Sequence, residues 1–306
     1  MTEVLIVKNL TKIFNRVKAI NNISFSVRKG EVVGLLGPNG AGKTTTINIL
    51  TGTTLPNFGE VSYFNLNFFE NKRACLSRIN YSSAYSKLLH RVSVGENLEV
   101  FAHLYQVENY KEKIYSLAKY FGIEDLLNIR FLHLSSGQKT RVNLVKALIN
   151  DPELLLLDEP TASLDPDMSD KTLTLIENIK KTRNISLLYT SHDMREVTRI
   201  CDRVIFMDHG QIVANDTPLG LTKRLKSAIL RLTYDGDDEQ LKKLILEKGW
   251  GSNFPKKHVV KITGTEKDLP SIIFKISNLG IWITDIEVIK PTLDDVFLQI
   301  VREGEV

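Results

Sequence analysis

Cysteine is scarce in this chain: Cys75 and Cys201 are the two in 306 residues, far apart and at no metal-ligand spacing. A disulfide framework and a cysteine-held zinc site are both excluded, and packing in a reducing cytosol is the expected role of these thiols. Long apolar runs are missing as well. Nowhere do about eighteen apolar residues follow one another, so the chain is not expected to cross a bilayer by itself. The opening MTEVLIVKNL lacks the basic start and long apolar stretch of a secretory leader. Charge of one sign is in short supply too, since 40 Lys and Arg against 36 Asp and Glu leave a formal net charge of +4 with no long basic block. That gives no electrostatic footprint for nucleic acid, and no nucleic-acid partner is expected. With 42% hydrophobic residues the chain can bury one large core or two moderate ones, and its length favours two domains.

What is present is more specific. Residues 37–44 read GPNGAGKT. Gly37, Gly40 and Gly42 allow backbone conformations closed to other residues, so successive N–H groups can turn inward around a phosphate. Lys43 then reaches the β- and γ-phosphates and Thr44 offers its hydroxyl to Mg²⁺, which makes the expected ligand a nucleoside triphosphate. The flanks agree: Glu31 to Leu36 (EVVGLL) reads as a buried strand, and Lys43 to Leu50 as a helix whose N-terminus faces the anion.

Further runs at Val4 to Val7, Ile23 to Val27, Leu154 to Leu157, Ile185 to Tyr189 and Val204 to Met207 read as strands separated partly by helical patterns, which predicts an α/β core. A mostly helical stretch within about 88–150 interrupts the alternation, with Val94, Leu98, Phe101, Ala102 and Tyr105 at helical spacing. Turn residues Asp208, His209 and Gly210 predict a hairpin, and Pro218 a short helix after it. The strand LLLL ends in Asp158 and Glu159 at the edge where α/β sheets place ligands. Asp158 is expected in the Mg²⁺ shell, and Glu159 is placed to polarise a water. The run LSSGQ at 134–138 gives a helix start in which Ser135 and Gln138 form a capping box; on its own it reads as capping.

Together with ASLD at 162–165 and TSH at 190–192, these motifs resemble, in order and spacing, the nucleotide-binding subunit of an ATP-binding cassette (ABC) transporter. The resemblance implies a P-loop ATPase domain over 1–220 that binds ATP through Gly37, Pro38, Asn39, Gly40, Ala41, Gly42, Lys43, Thr44 and Thr45. It implies a head-to-tail homodimer in which Ser135, Ser136, Gly137 and Gln138 of one copy face the γ-phosphate held by the other. Glu159 then matches the general base, Asp158 the magnesium-shell carboxylate, Asp165 the loop joining the two sites, His192 the γ-phosphate switch and Phe14 the aromatic on adenine.

Two positions depart from the family pattern. Ala84 stands where a coupling-loop glutamine is expected, and a methyl cannot ligate magnesium, which leaves substitution by Ser83 or Ser86 or an altered coupling. Ser136 replaces a glycine of the signature.

Residues 221–306 change pattern to an α+β unit: strand Ile229 to Tyr234, helix Asp238 to Lys248, a further, weakly marked strand, strand Val259 to Thr263, helix Lys267 to Leu279, strand Ile281 to Ile289 and a closing helix from Pro291 to Val301. Its order resembles a small ferredoxin-like sandwich. The tail PTLDDVFLQ resembles the C-terminal extension of drug-, antibiotic- and polysaccharide-export cassettes. An exporter ATPase at the cytoplasmic face of the membrane, driving a separate transmembrane permease, is the implied function. A soluble cassette ATPase acting on ribosomes or chromosomes, or a regulatory ATP-binding module, is the alternative.

Overall fold

A computed structural model describes residues 2–83, 88–162, 164–225 and 227–304. The chain divides into two compact units, Met1–Pro218 and Leu219–Val306.

Among the described residues, the first unit carries an antiparallel sheet in the strand order Val17–Arg28, Glu3–Phe14, Phe58–Tyr63, Leu66–Asn67. Its first two strands are longer than their apolar centres predict. Asn15 and Arg16, both at positive φ, close them into a tight hairpin whose twist suits the paired strands. The second sheet runs in the order Gln211–Asp216, Arg203–Asp208, Val32–Leu36, Ser186–Thr190, Leu154–Asp158, Ile79–Ser83. All its neighbours are parallel except the hairpin pair 203–208 and 211–216. Val32 to Leu36 and Leu154 to Leu157 are buried throughout, as parallel strands covered on both faces must be.

One apolar core gathers Leu5 and Val7 from the first sheet, Val33, Leu35, Leu154 and Leu156 from the second, and Ile47, Ile49 and Leu50 from the helix Lys43–Leu50. Parallel pairing then lines up the carboxyl ends of the strands. Ser83 lies opposite Asp158, and Asp158 opposite Thr190, so one edge of the sheet presents them in a row. Between Ile79–Ser83 and Leu154–Asp158 the chain forms the helices Val94–Leu104, Tyr110–Tyr120 and Ser136–Ala147. Two of them open on capping boxes, Ser93 with Glu96 and Ser135 with Gln138.

The second unit is a β-α-β-β-α-β series followed by the helix Leu293–Gly304. Its strands are antiparallel throughout, in the order Gly251–Lys256, Val259–Thr265, Ser227–Asp235, Trp282–Ile289. Leu230, Leu232, Val260 and Ile262 pack with Leu241 and Ile245 of the helix Asp238–Lys248 and with Ile272 and Ile276 of the helix Leu269–Ser277.

Candidate nucleotide site

The loop after Val32–Leu36 is held by close packing that only glycine permits. Gly37 and Gly42 have φ of 150 and 103°, and a Cβ on them would lie 2.1 Å from the Met207 carbonyl oxygen and 2.5 Å from that of Ala19. Gly40, at φ 83°, faces open space and is exposed along with Asn39. Ala41 closes the turn by donating its N–H to the Pro38 carbonyl at 3.2 Å.

The helix that follows begins at Lys43 with Gly42 as N-cap, no side-chain cap and no acid in its first turn. Its leading amides and positive dipole end are thereby left for an external anion. Thr44 is exposed and Thr45 half-buried at this end. Lys43 donates to the carbonyl oxygens of Gly37 at 2.6 Å and Pro38 at 3.0 Å. Burial lowers the Lys43 pKa, and the facing Glu159 and Asp158 carboxylates offset part of that. These two acids therefore look onto the phosphate loop.

The residue that aims them is Thr190, whose role sequence reasoning missed. Its hydroxyl donates to Asp158 Oδ1 at 2.6 Å and accepts from the Glu159 N–H at 3.0 Å. The Tyr81 hydroxyl donates to Asp158 Oδ2 at 3.3 Å. Glu159 adopts φ 48°, a left-handed conformation costly for a residue with a Cβ. Its N–H, shared between the carbonyl and hydroxyl oxygens of Thr190, fixes that turn. Strain of this kind collects where a side chain must be re-aimed. Glu159 Oε2 lies 3.6 Å from Nδ1 of the exposed His192, so the structure brings the expected base and switch together.

Ser135 caps the helix Ser136–Ala147. Its hydroxyl oxygen accepts from the Gln138 N–H at 3.3 Å, while Gln138 Oε1 accepts from the Ser135 N–H at 2.8 Å. The capping bond uses a lone pair of Ser135, and its hydroxyl proton remains a donor. Ser135 and Ser136 are exposed, whereas Gly137 is buried against Met168. Asp165 caps the helix Pro166–Arg183 by accepting from the Met168 N–H at 2.9 Å. Phe14 ends its strand 47% exposed, with Lys12 Nζ 4.8 Å from its ring centre; that leaves an aromatic surface open instead of a core side chain. Ala84 and Ser86, and Ser163 of the ASLD run, lie outside the described residues.

The sequence pattern of the family described as ABC transporter matches residues 20–162. A Nod factor export ATP-binding protein I from Rhizobium johnstonii is 31% identical over 94% of this chain and 91% of its own length. The chain belongs to the ABC transporter ATP-binding family. The linearmycin resistance ATP-binding protein LnrL of Bacillus subtilis is 32% identical, over 76% of this chain and 75% of that protein. Among solved structures, CbiO1 from Clostridium perfringens, part of the ABC transporter complex cbiONQ, superposes with a TM-score of 0.66 at 25% identity. That match covers 80% of this chain and 96% of CbiO1. This ABC protein is an ATPase subunit with the P-loop α/β fold of its relatives.

Proposed function

We propose that two copies of this ABC ATPase close head to tail over two ATP molecules and so drive a separate transmembrane permease in export, from the cytoplasmic face of the cell membrane. The observation carrying the export reading is the length of the match. Likeness to the Nod factor export protein spans 94% of this chain and so includes its second unit. No described helix is long and apolar enough to cross a membrane, and the permease supplies the spans.

Within each site the loop amides, the helix end at Lys43 and the Lys43 amine hold the triphosphate and stabilise charge spreading over the transferred phosphoryl group. Glu159, held by Thr190 and facing the loop, orients the attacking water and accepts its proton. Ser135 donates its hydroxyl to the γ-phosphate held by the other copy, and the amides at the start of its helix add to that. His192 contacts the γ-phosphate held by its own copy, Asp165 links the two sites and Phe14 stacks on adenine.

Magnesium suits the donors present. Among the described residues no group of three or more His, Cys, Asp or Glu side chains gathers as a metal cage. A single carboxylate, Asp158, and the Thr44 hydroxyl beside phosphate oxygens match the sparse protein ligation that Mg²⁺ takes. When bound, the ion neutralises charge on the β- and γ-phosphates.

Isolation of the chain from gently solubilised cells tests the reading. Co-purification of an integral membrane protein, with ATP hydrolysis by the complex, is the expected result; a ribosomal or chromosomal partner would overturn it.

A further inference from the structure

Glu196 sits on the helix Met194–Ile200, 7% exposed, and its partners are hydroxyl groups. Thr161 Oγ1 donates to its Oε2 at 2.8 Å, Tyr189 Oη at 2.7 Å and Ser191 Oγ at 2.8 Å, while Ser169 Oγ lies 3.4 Å from Oε1. A carboxylate in such a place costs several kcal/mol of desolvation unless donors converge on it, and here they do. The Tyr189 phenol is pushed well up by burial and by this neighbouring acid, so it stays a donor.

The donors come from segments that matter to the nucleotide site. Thr161 lies two residues beyond Glu159, Ser191 immediately precedes His192, and Ser169 is on the helix capped by Asp165. The Ser191 oxygen in turn accepts from the Asp193 N–H at 3.0 Å, which holds the His192 turn from its far side.

We propose that Glu196 is a positioning residue: its buried carboxylate ties the loop after Glu159 to the turn bearing His192 and so sets the Glu159–His192 separation needed for hydrolysis. This rests on the roles given above to Glu159 and His192. Glu196 is buried with hydroxyl groups as its partners, so it acts on turnover through Glu159 and His192 and leaves ATP binding alone. A misplacement of about 1 Å in such a pair lowers turnover on the order of a hundredfold.

Steady-state kinetics on the full chain with its membrane partner test the inference. Glu196→Met should lower kcat about ten- to a hundredfold with the KM for ATP within about twofold. Glu196→Gln, whose carbonyl oxygen can take the three donors while its amide donates to Ser169, should restore most of the lost turnover. If the Met variant fails to fold, Ser191→Ala removes only the link to the His192 turn and should show the same drop in kcat at constant KM. In a His192→Ala background, Glu196→Met should add less than about a twofold further loss, because the two act in one unit.

An unchanged kcat in folded Glu196→Met or Ser191→Ala, or a full additive loss beside His192→Ala, would overturn the inference. Wild-type turnover by His192→Ala alone would instead remove the switch assignment beneath it.

Discussion

Thr190 donates its hydroxyl to Asp158 across 2.6 Å, from a neighbouring parallel strand and at full burial. The same oxygen takes the Glu159 N–H, so one threonine orients both acids at the sheet edge. Thr190→Val keeps the shape and removes the hydroxyl. The magnesium concentration giving half-maximal hydrolysis should then rise about tenfold, the usual cost of losing a partner that orients a metal ligand. Titrating hydrolysis with Mg²⁺ checks this, and an unshifted midpoint would count against the pairing.

The phosphate loop, the buried strands around it, the helix Lys43–Leu50 and the hairpin at His209 and Gly210 were legible because each is written in short-range pattern: glycines at turns, apolar runs, capping residues. Ile79–Ser83 was not legible, since its buried residues include Asn80, Ser82 and Ser83. Asn80 is tolerated there because it donates to Asn150 Oδ1 at 2.8 Å, a partner seventy residues away that no hydropathy pattern announces. Phe58–Tyr63 hid for a different reason, being exposed over its first half. In the site, the two acids stood out at the end of an apolar strand, and His192 only through the resemblance to the cassette family. The work of Thr190 and Glu196 could not, because it depends on strand register and on hydroxyls converging from distant segments.

Glu159→Gln leaves the backbone pairing to Thr190 in place and removes the ability to accept a proton. Hydrolysis should fall about 10²- to 10⁴-fold, the range for losing a positioned base. ATP affinity should stay within about twofold. Phosphate release and equilibrium nucleotide binding, measured on the same preparation, check the two halves; phosphate release at the parent rate would take Glu159 out of the role of base.

Burial lowers the Lys43 pKa, and Glu159 and Asp158 offset part of that by supporting the charge of the amine. Lys43→Ala removes that cation from the loop that holds the phosphates. A charge-assisted hydrogen bond of about 2 kcal/mol corresponds to a loss in ATP affinity of roughly thirtyfold. Calorimetry should show this weakening directly, and equal affinities would contradict the placement of the triphosphate in this loop.

Lys146, in the last turn of the helix that Ser135 caps, donates to the Tyr81 carbonyl at 2.8 Å, with its Nζ 5.3 Å from the centre of the Phe101 ring. Burial brings its pKa from 10.5 down to about 8. Below about pH 8 the amine is charged in both folded and unfolded chains, and the cost of burying that charge is present in full. Between about pH 8 and 10.5 the unfolded chain keeps a proton that the folded chain has released, so this residue makes stability rise with pH across that window. The whole gain is at most about 3 kcal/mol. Lys146→Met keeps the stem and abolishes the titration. Tyrosines and Cys201 with raised pKa values titrate alike in both proteins and cancel in the difference. Parallel denaturant unfolding should therefore give a parent-minus-variant stability that is flat below about pH 8 and climbs above it. A difference that stays level up to pH 10.5 would mean that the Tyr81 carbonyl and the Phe101 ring stabilise the charged amine enough to offset its burial.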